Sequence, residues 1–335
     1  MPRSSGASRP TIRDVAAEAG VSKGLVSLAF KDASKVSPLR RERILRAADK
    51  LGYKPNFLAQ SLATERSSFI GILLSNLHNP LFPEIADAAR VVFEQAGRHS
   101  LLTSATGPGS TGAPRVDQQL IQMFQDLRPS GVLVIGSLAQ DSALPLDTPV
   151  VYASSVPAGQ AGGSSVRVHD HAGISLAVDH LIAQGRERIA FVGGEGGAVS
   201  QVRAQAYRDV LTGKGMDARV YPADLTERSG FEAFSKAVAD GGRPDAVVAV
   251  NDLVGIGVQS AADQIGLRVP ADLAVTGFDN TFLAGLHRIS LTSVDPQNAR
   301  VGAEAARTLL ATMGGDHDLR EELVEPRLVV RGSSS

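Results

Sequence analysis

The chain contains no cysteine and no tryptophan, and aromatic residues make up only 4% of its 335 positions. The first absence excludes disulfides, thiolate metal ligands and a cysteine nucleophile. The seven histidines are scattered, and no H-E-x-x-H, G-x-S-x-G or phosphate-loop pattern appears, so the sequence offers no catalytic residue, metal site or cofactor. Long apolar runs are also missing: nothing approaches the ~20 consecutive apolar residues of a membrane span. The opening MPRSSGASR lacks the apolar run of about 7–15 residues that an export signal needs. Residues 1–9 read as a disordered tail, the expected location is the cytoplasm, and no membrane partner is expected.

What is present suits a soluble chain of two or three domains: 43% hydrophobic and 21% charged residues over a length beyond one ordinary core. The net charge of −1 hides an asymmetry. Residues 1–66 hold 13 Lys and Arg against 6 Asp and Glu, and the remainder holds 21 against 29. A head of net +7 on a body of −8 suits contact with a polyanion, because lysine and arginine release condensed counterions when they neutralise phosphates.

The head reads as three short helices. Thr11 with Asp14 three residues on is a capping pair, and Val15, Ala16 and Ala19 share a face before Gly20. Ser22 caps a second helix over Lys23–Phe30, with Val26, Ala29 and Phe30 facing inward. Ser37-Pro38 opens a third, with Ile44, Leu45, Ala48 and Leu51 at helical spacing up to Gly52. The first two, joined by a short glycine turn, predict a helix-turn-helix. After Pro55, Asn56 can cap a helix of barely two turns, below the ~12–15 residues at which an isolated helix holds in water.

TIRDVAAEAGVSKGLVSLAFKD, VSPLRRERILRAADKLGYKPN and FLAQSLA together resemble the headpiece and hinge of the LacI/GalR family of transcription regulators. The resemblance implies double-stranded operator DNA as partner, with the second helix in the major groove. It implies hinge helices that pair over the minor groove only on DNA, and Leu62 wedged into the central base step. Where the family often carries Thr and Arg, this chain has Leu25 and Leu28, which removes a bidentate contact to guanine. Base reading then falls to Lys23, Ser27 and Lys31, with Gly24 permitting close approach and Leu25 or Leu28 available to a thymine methyl. Both leucines can equally complete the head's core, Leu25 more readily on its helical phase than Leu28. Thr11, Ser22 and Ser37, at helix N-termini, read as phosphate positioners.

From Ser68 onward, apolar runs (FIGILLSNL, LLTSATG, GVLVIGS, PVVYASS, RIAFVGG, DAVVAVND, LAVTGFDN) alternate with helical patterns, which predicts parallel sheets covered on both faces. About seven strands exceed one compact half, so two lobes are expected, with ligand at the carboxyl ends of strands between them. The glycines of 193–197 lack G-x-G-x-x-G spacing and read as a strand-end loop. His169-Asp170-His171 is the one crowded spot; it reads as a solvated crossover more readily than as a metal site.

The resemblance extends here, through HNPLF, VVAVNDLVGIG, RVPADLAVTGFDN and EPRLVVRGS, to a periplasmic-binding-protein-like effector domain. It implies that Asn79, Arg203, Asn251 and Asp279 hydrogen-bond a small polar effector, a sugar or sugar derivative, and that Phe231 stacks on its ring. The Asp/Arg pair frequent after the fourth strand is replaced by Tyr152-Ala153-Ser154-Ser155, which leaves the ligand open. The expected layout is an all-α helix-turn-helix domain at 10–55, a hinge helix at 56–66, and an α/β two-lobed effector-binding and dimerisation domain at 67–332. Lobe one takes about 67–167 and 295–322, lobe two about 168–294 and 323–332. The expected function is a homodimeric, ligand-controlled repressor. A solute-binding receptor or a sugar-acting enzyme on the same fold is the alternative; the first would need an export signal, and neither has use for a basic head.

Overall fold

The computed structural model describes residues 10–31, 33–54, 69–104, 106–107, 115–137, 148–155, 163–316 and 318–335. The tail at 1–9 and the hinge segment at 56–66 lie outside them. The chain divides into two compact units, Met1–Ser67 and Ser68–Ser335.

In the first unit, α1 (Ile12–Glu18), α2 (Lys23–Lys31) and α3 (Pro38–Leu51) surround a small aliphatic core. The Asp14 carboxylate accepts from Thr11 N at 2.7 Å and Thr11 Oγ1 at 2.8 Å, and these two bonds lower its pKa. Ser22 Oγ accepts from Leu25 N at 3.2 Å, and Gly52, at φ 66°, closes α3. Val15, Val26 and Ile44 are fully buried, and each such side chain contributes roughly 1.5–3 kcal/mol. Phe30 meets Tyr53 at 5.9 Å between ring centroids, tying the chain that leaves α3 back to the head.

The second unit holds two six-stranded sheets. The first runs in the order β13-β7-β6-β5-β1-β2, all parallel, with β1 Phe69–Leu74, β2 His99–Ser104, β5 Val132–Ile135, β6 Val150–Ala153, β7 Ser164–Val168 and β13 Glu321–Val324. Helices α4 (Leu81–Gln95) and α10 (Asn298–Met313) cover one face of it, and α5 (Gln118–Asp126) covers the other. A Cβ on Gly302 would stand 2.2 Å from the Ile85 carbonyl, so glycine is what lets α10 lie against α4. A short ladder pairs β3 (Thr106–Gly107) with β4 (Arg115–Val116).

The second sheet runs β14-β12-β11-β10-β8-β9, with β8 Ile189–Val192, β9 Arg219–Tyr221, β10 Ala246–Ala249, β11 Ala274–Phe278, β12 Thr292–Asp295 and an antiparallel edge, β14 Arg327–Val329. Around it pack α6 (Asp170–Ala183), α7 (Ala198–Gly213), α8 (Glu227–Ala239) and α9 (Asp252–Gln264). Five strands beyond the seven apolar runs complete the sheets: β7, β9, β12, β13 and β14. They are short and carry Ser, Thr, Arg or Glu, so they lack the apolar run that marks a central strand. β12 is the extreme case, with Thr292 and Ser293 fully buried.

The chain passes between the lobes three times, at 168–170, 295–298 and 324–327. The last crossing corrects the boundary expected at 322–323. β13 pairs in parallel with β7, placing buried Val324 opposite Val168 in the first sheet, so the return comes after Val324. The crossings are bonded to one another: His169 N donates to Val324 O at 2.9 Å, Gln297 Nε2 donates to Glu325 O at 2.5 Å, and Asp295 registers with Arg327.

Candidate functional site

On the head, α2 exposes Ser22, Lys23, Gly24 and Ser27. Leu25 and Leu28 are alike, both half-buried against the head's core, so the difference in phase expected between them is absent. Among the described residues a Cβ on Gly24 would meet only Ser22 Oγ, at 3.9 Å, so no packing among them requires glycine there. Thr11 commits its hydroxyl to Asp14, whereas Ser37 is exposed and makes no side-chain cap bond. Of the other head residues, the Lys31 side chain, Asn56 and Leu62 fall outside the described residues.

In the body, a polar cluster forms where the strands of the second sheet end. Arg203, buried on α7, donates Nε to Asp170 Oδ1 at 2.8 Å, and Nη1 to Val250 O at 2.8 Å and Asp279 Oδ1 at 3.2 Å. Its guanidinium lies 3.6 Å from the centroid of the Phe278 ring. Burial opposes the charge, but Asp279 and Asp170 outweigh it and hold the group protonated, its pKa raised. For Asp279 burial prevails over the pull of Arg203, and its pKa rises.

Lobe one reaches the same carboxylate. The Asn79 side chain hydrogen-bonds Asp279, while its own Oδ1 accepts from Leu81 N at 3.0 Å. Asn298, at the start of α10, donates Nδ2 to Glu84 Oε2 at 2.8 Å and to the Asp279 carbonyl at 3.1 Å. Asp279 and Asn280 sit at φ 100° and 46°, left-handed conformations that side chains avoid and that cost about 1–3 kcal/mol each. Asn280 is held there by Arg331, whose Nη2 donates to Asn280 Oδ1 at 2.7 Å.

Asp252 is a second buried acid beside this cluster. It accepts from Thr281 N at 2.7 Å, Thr281 Oγ1 at 2.9 Å and Ser293 Oγ at 2.5 Å, and glycine at 277 makes room for it, since a Cβ there would stand 2.6 Å from Asp252 Oδ1. Burial, aided by the nearby Asp279 charge, pushes its pKa up to about 7. In the unfolded chain the carboxyl is ionised above about pH 4, so between there and pH 7 the folded state binds the extra proton. Stability should therefore fall as pH rises through that window. Thermal unfolding of wild type is expected to drop by ~5 °C between pH 5 and pH 8, and Asp252→Asn should flatten the profile; parallel profiles for the two proteins would remove Asp252 as the source.

Three of the five residues expected to meet a ligand thus converge: Asn79, Arg203 and Asp279. Asn251 lies at the end of β10 but is committed internally, its Oδ1 accepting from Val254 N at 2.9 Å and its Nδ2 donating to Leu225 O at 3.1 Å. Phe231 is half-buried against the second-lobe core, and the ring that meets Arg203 is Phe278. The solvated reading of His169-Asp170-His171 holds only for exposed His171. His169 Nδ1 caps α6 by accepting from Ala172 N at 3.2 Å, and Asp170 is buried between Arg203 and Arg167, whose Nη1 donates to it at 2.9 Å. Asp170, Asp252, Glu84 and Asn298 were missed because single acids and amides at helix starts look like ordinary caps; the excess of acid at strand ends was the available signal. Two surface hollows, at Arg219–Gly242 on the β9 edge and along α7 from Ala198 to Arg208, lie apart from this cluster.

The family described as bacterial regulatory proteins, lacI family, matches residues 11–56, and a periplasmic binding protein-like domain matches 178–334. The HTH-type transcriptional regulator CelR of Thermobifida fusca is 34% identical, over 97% of this chain and 98% of its own length. The chain belongs to the lacI family. It is accordingly a sequence-specific DNA-binding transcription regulator whose helix-turn-helix occupies the basic head. Among other lacI-family relatives, MalR of Streptomyces coelicolor is 31% identical over 97% of this chain and 96% of its own. Two of the solved structures that match over 97% of the chain bear on its function. One is the Lac repressor dimer bound to operator and an anti-inducer (TM-score 0.82, 26% identity, 98% of that chain); the other is a CelR–cellobiose complex (0.71, 30%, 100%). The relatives are regulators, not enzymes, and among the described residues no helix is long and apolar enough to cross a membrane.

Proposed function

We propose that this lacI-family chain is a cytoplasmic, homodimeric repressor released from its operator, or fixed to it, by a neutral hydroxyl-rich effector bound between the lobes. The observation that carries the ligand class is the charge state of Arg203. Two buried carboxylates already neutralise it, so the cluster has no surplus cation to attract a phosphate or carboxylate. It offers instead acceptors and donors suited to hydroxyls. Arg203, Asp279 and Asn79 are the residues that contact the effector, with Asn251 bracing the loop at its side. That the related CelR is known in complex with cellobiose supports a saccharide.

On the head, Lys23, Gly24 and Ser27 face the major groove. Among the described residues only Ser22 Oγ comes near the space above Gly24, and a helical glycine costs up to about 1 kcal/mol, so the close approach of DNA accounts for it. Gly24→Ala should leave the head as stable or slightly more so, while weakening operator binding about tenfold. Dimerisation is supported by large apolar side chains left exposed on lobe one, Leu101 and Leu102 of β2 and Val91 of α4. The experiment that tests the whole reading is a genome-wide footprint, followed by calorimetry with the substrates of the neighbouring genes. Sites that are not pseudo-palindromic, or tight binding of anionic ligands only, would overturn it.

A further inference from the structure

The Asn298 side chain is the one described amide whose buried oxygen has no hydrogen-bond partner. Its orientation is fixed by its other end. Nδ2 faces two acceptors, Glu84 Oε2 at 2.8 Å and the Asp279 carbonyl at 3.1 Å, so a flipped amide would set oxygen against oxygen. Asn298 is only 7% exposed, and an unsatisfied buried acceptor is rare enough to require an account. Its setting supplies one. Asn298 opens α10 at the middle crossing, next to Gln297 at φ 57°, and its amide ties α4 of lobe one to the strained loop of lobe two that carries Asp279.

We propose that Asn298 is a specificity-determining residue of the effector cleft, accepting a hydrogen bond on Oδ1 from one hydroxyl of the effector while Nδ2 keeps Glu84 and Asp279 together across the lobes. The inference rests on the reading of the cleft given above and adds a residue to it. The empty acceptor is what a hydroxyl donor satisfies, and an effector that lacks a hydroxyl at that point leaves it unsatisfied in the closed form. Discrimination between sugars differing at one hydroxyl follows, because a site built to pair a polar group rejects the analogue without it.

The test uses the full-length protein and a panel of neutral mono- and disaccharides, cellobiose among them, titrated by calorimetry. Monodeoxy derivatives of the tightest binder are then compared in wild type, Asn298→Ala and Asn298→Asp. In wild type, one derivative should bind about tenfold more weakly than its parent, and in Asn298→Ala that same removal should cost nothing further. Asn298→Asp, which keeps the acceptor but loses the amide donors, should retain the discrimination at lower overall affinity. A deoxy series that runs parallel in wild type and Asn298→Ala would show a merely structural role and overturn the proposal while leaving the cleft intact. Absence of binding by every saccharide in wild type would overturn the saccharide reading and the inference with it.

Discussion

Arg203→Ala should give a protein that is markedly less stable and deaf to its effector, yet still binds operator when folded. Removing the guanidinium leaves buried Asp279 with no cation and buried Asp170 with Arg167 alone. Breaking one side of a buried pair costs about 3–5 kcal/mol, because the remaining charge stays desolvated. A melting curve should show this directly. Arg203→Lys keeps the charge and so most of the fold, but a single ammonium cannot span two carboxylates and the Val250 carbonyl in the planar geometry of the fork. The lysine variant should bind operator normally by fluorescence anisotropy and lose at least tenfold in effector affinity, since an effector shifts the head only through its preference between lobe arrangements. Normal titration of a folded Arg203→Lys protein would take Arg203 out of the ligand site.

The second large effect is expected on DNA. Leu62→Ala should weaken operator binding by about 2 kcal/mol, ~30-fold, and reduce the bend, with effector affinity unchanged. The reason lies in the segment from Asn56 to Ala63, which is too short to hold as a lone helix and is flanked by Pro55 and the polar Thr64-Glu65-Arg66. On the proposed reading the segment folds by pairing with a second copy, and a leucine wedged at a flexible pyrimidine–purine step would repay unstacking with the contacts that a bend allows. Circular-permutation gel shifts read the angle. An unchanged angle and affinity in the variant would deny Leu62 the wedge.

The sequence was most legible where one local pattern decides. The head's three helices are visible because Thr11 with Asp14, Ser22, Ser37-Pro38 and Gly52 mark their ends, and each marker acts within a few residues. The central strands are visible because burial on both faces demands an unbroken apolar run such as VLVI or AVVA. The edge strands β9, β13 and β14 were not, since one neighbour and partial exposure allow Arg219, Glu321 and Arg327, and the inner β7 and β12 were hidden by their serines and threonine. The cluster was half legible. Asp279 lies in RVPADLAVTGFDN, a stretch that resembles the family's, and the resemblance marks Arg203 singly, whereas the pairing of Arg203 with Asp170, 33 residues earlier, is made by the fold alone. Asn251 shows the converse: a residue of the right type at the right strand end whose two polar atoms are spent on a helix cap and a carbonyl.

The three crossings have a mechanical consequence. A body joined to another by one flexible strap can swing, twist and slide. Here three straps run side by side and are bonded to each other through His169, Gln297 and the Asp295–Arg327 pair. Shear between them would break those bonds, while bending them together would not, so the two lobes retain close to a single degree of freedom, rotation about the bundle. The whole repertoire of opened and closed forms then lies along one coordinate, and one pair of probes placed across the cleft, far from the straps, is enough to report it.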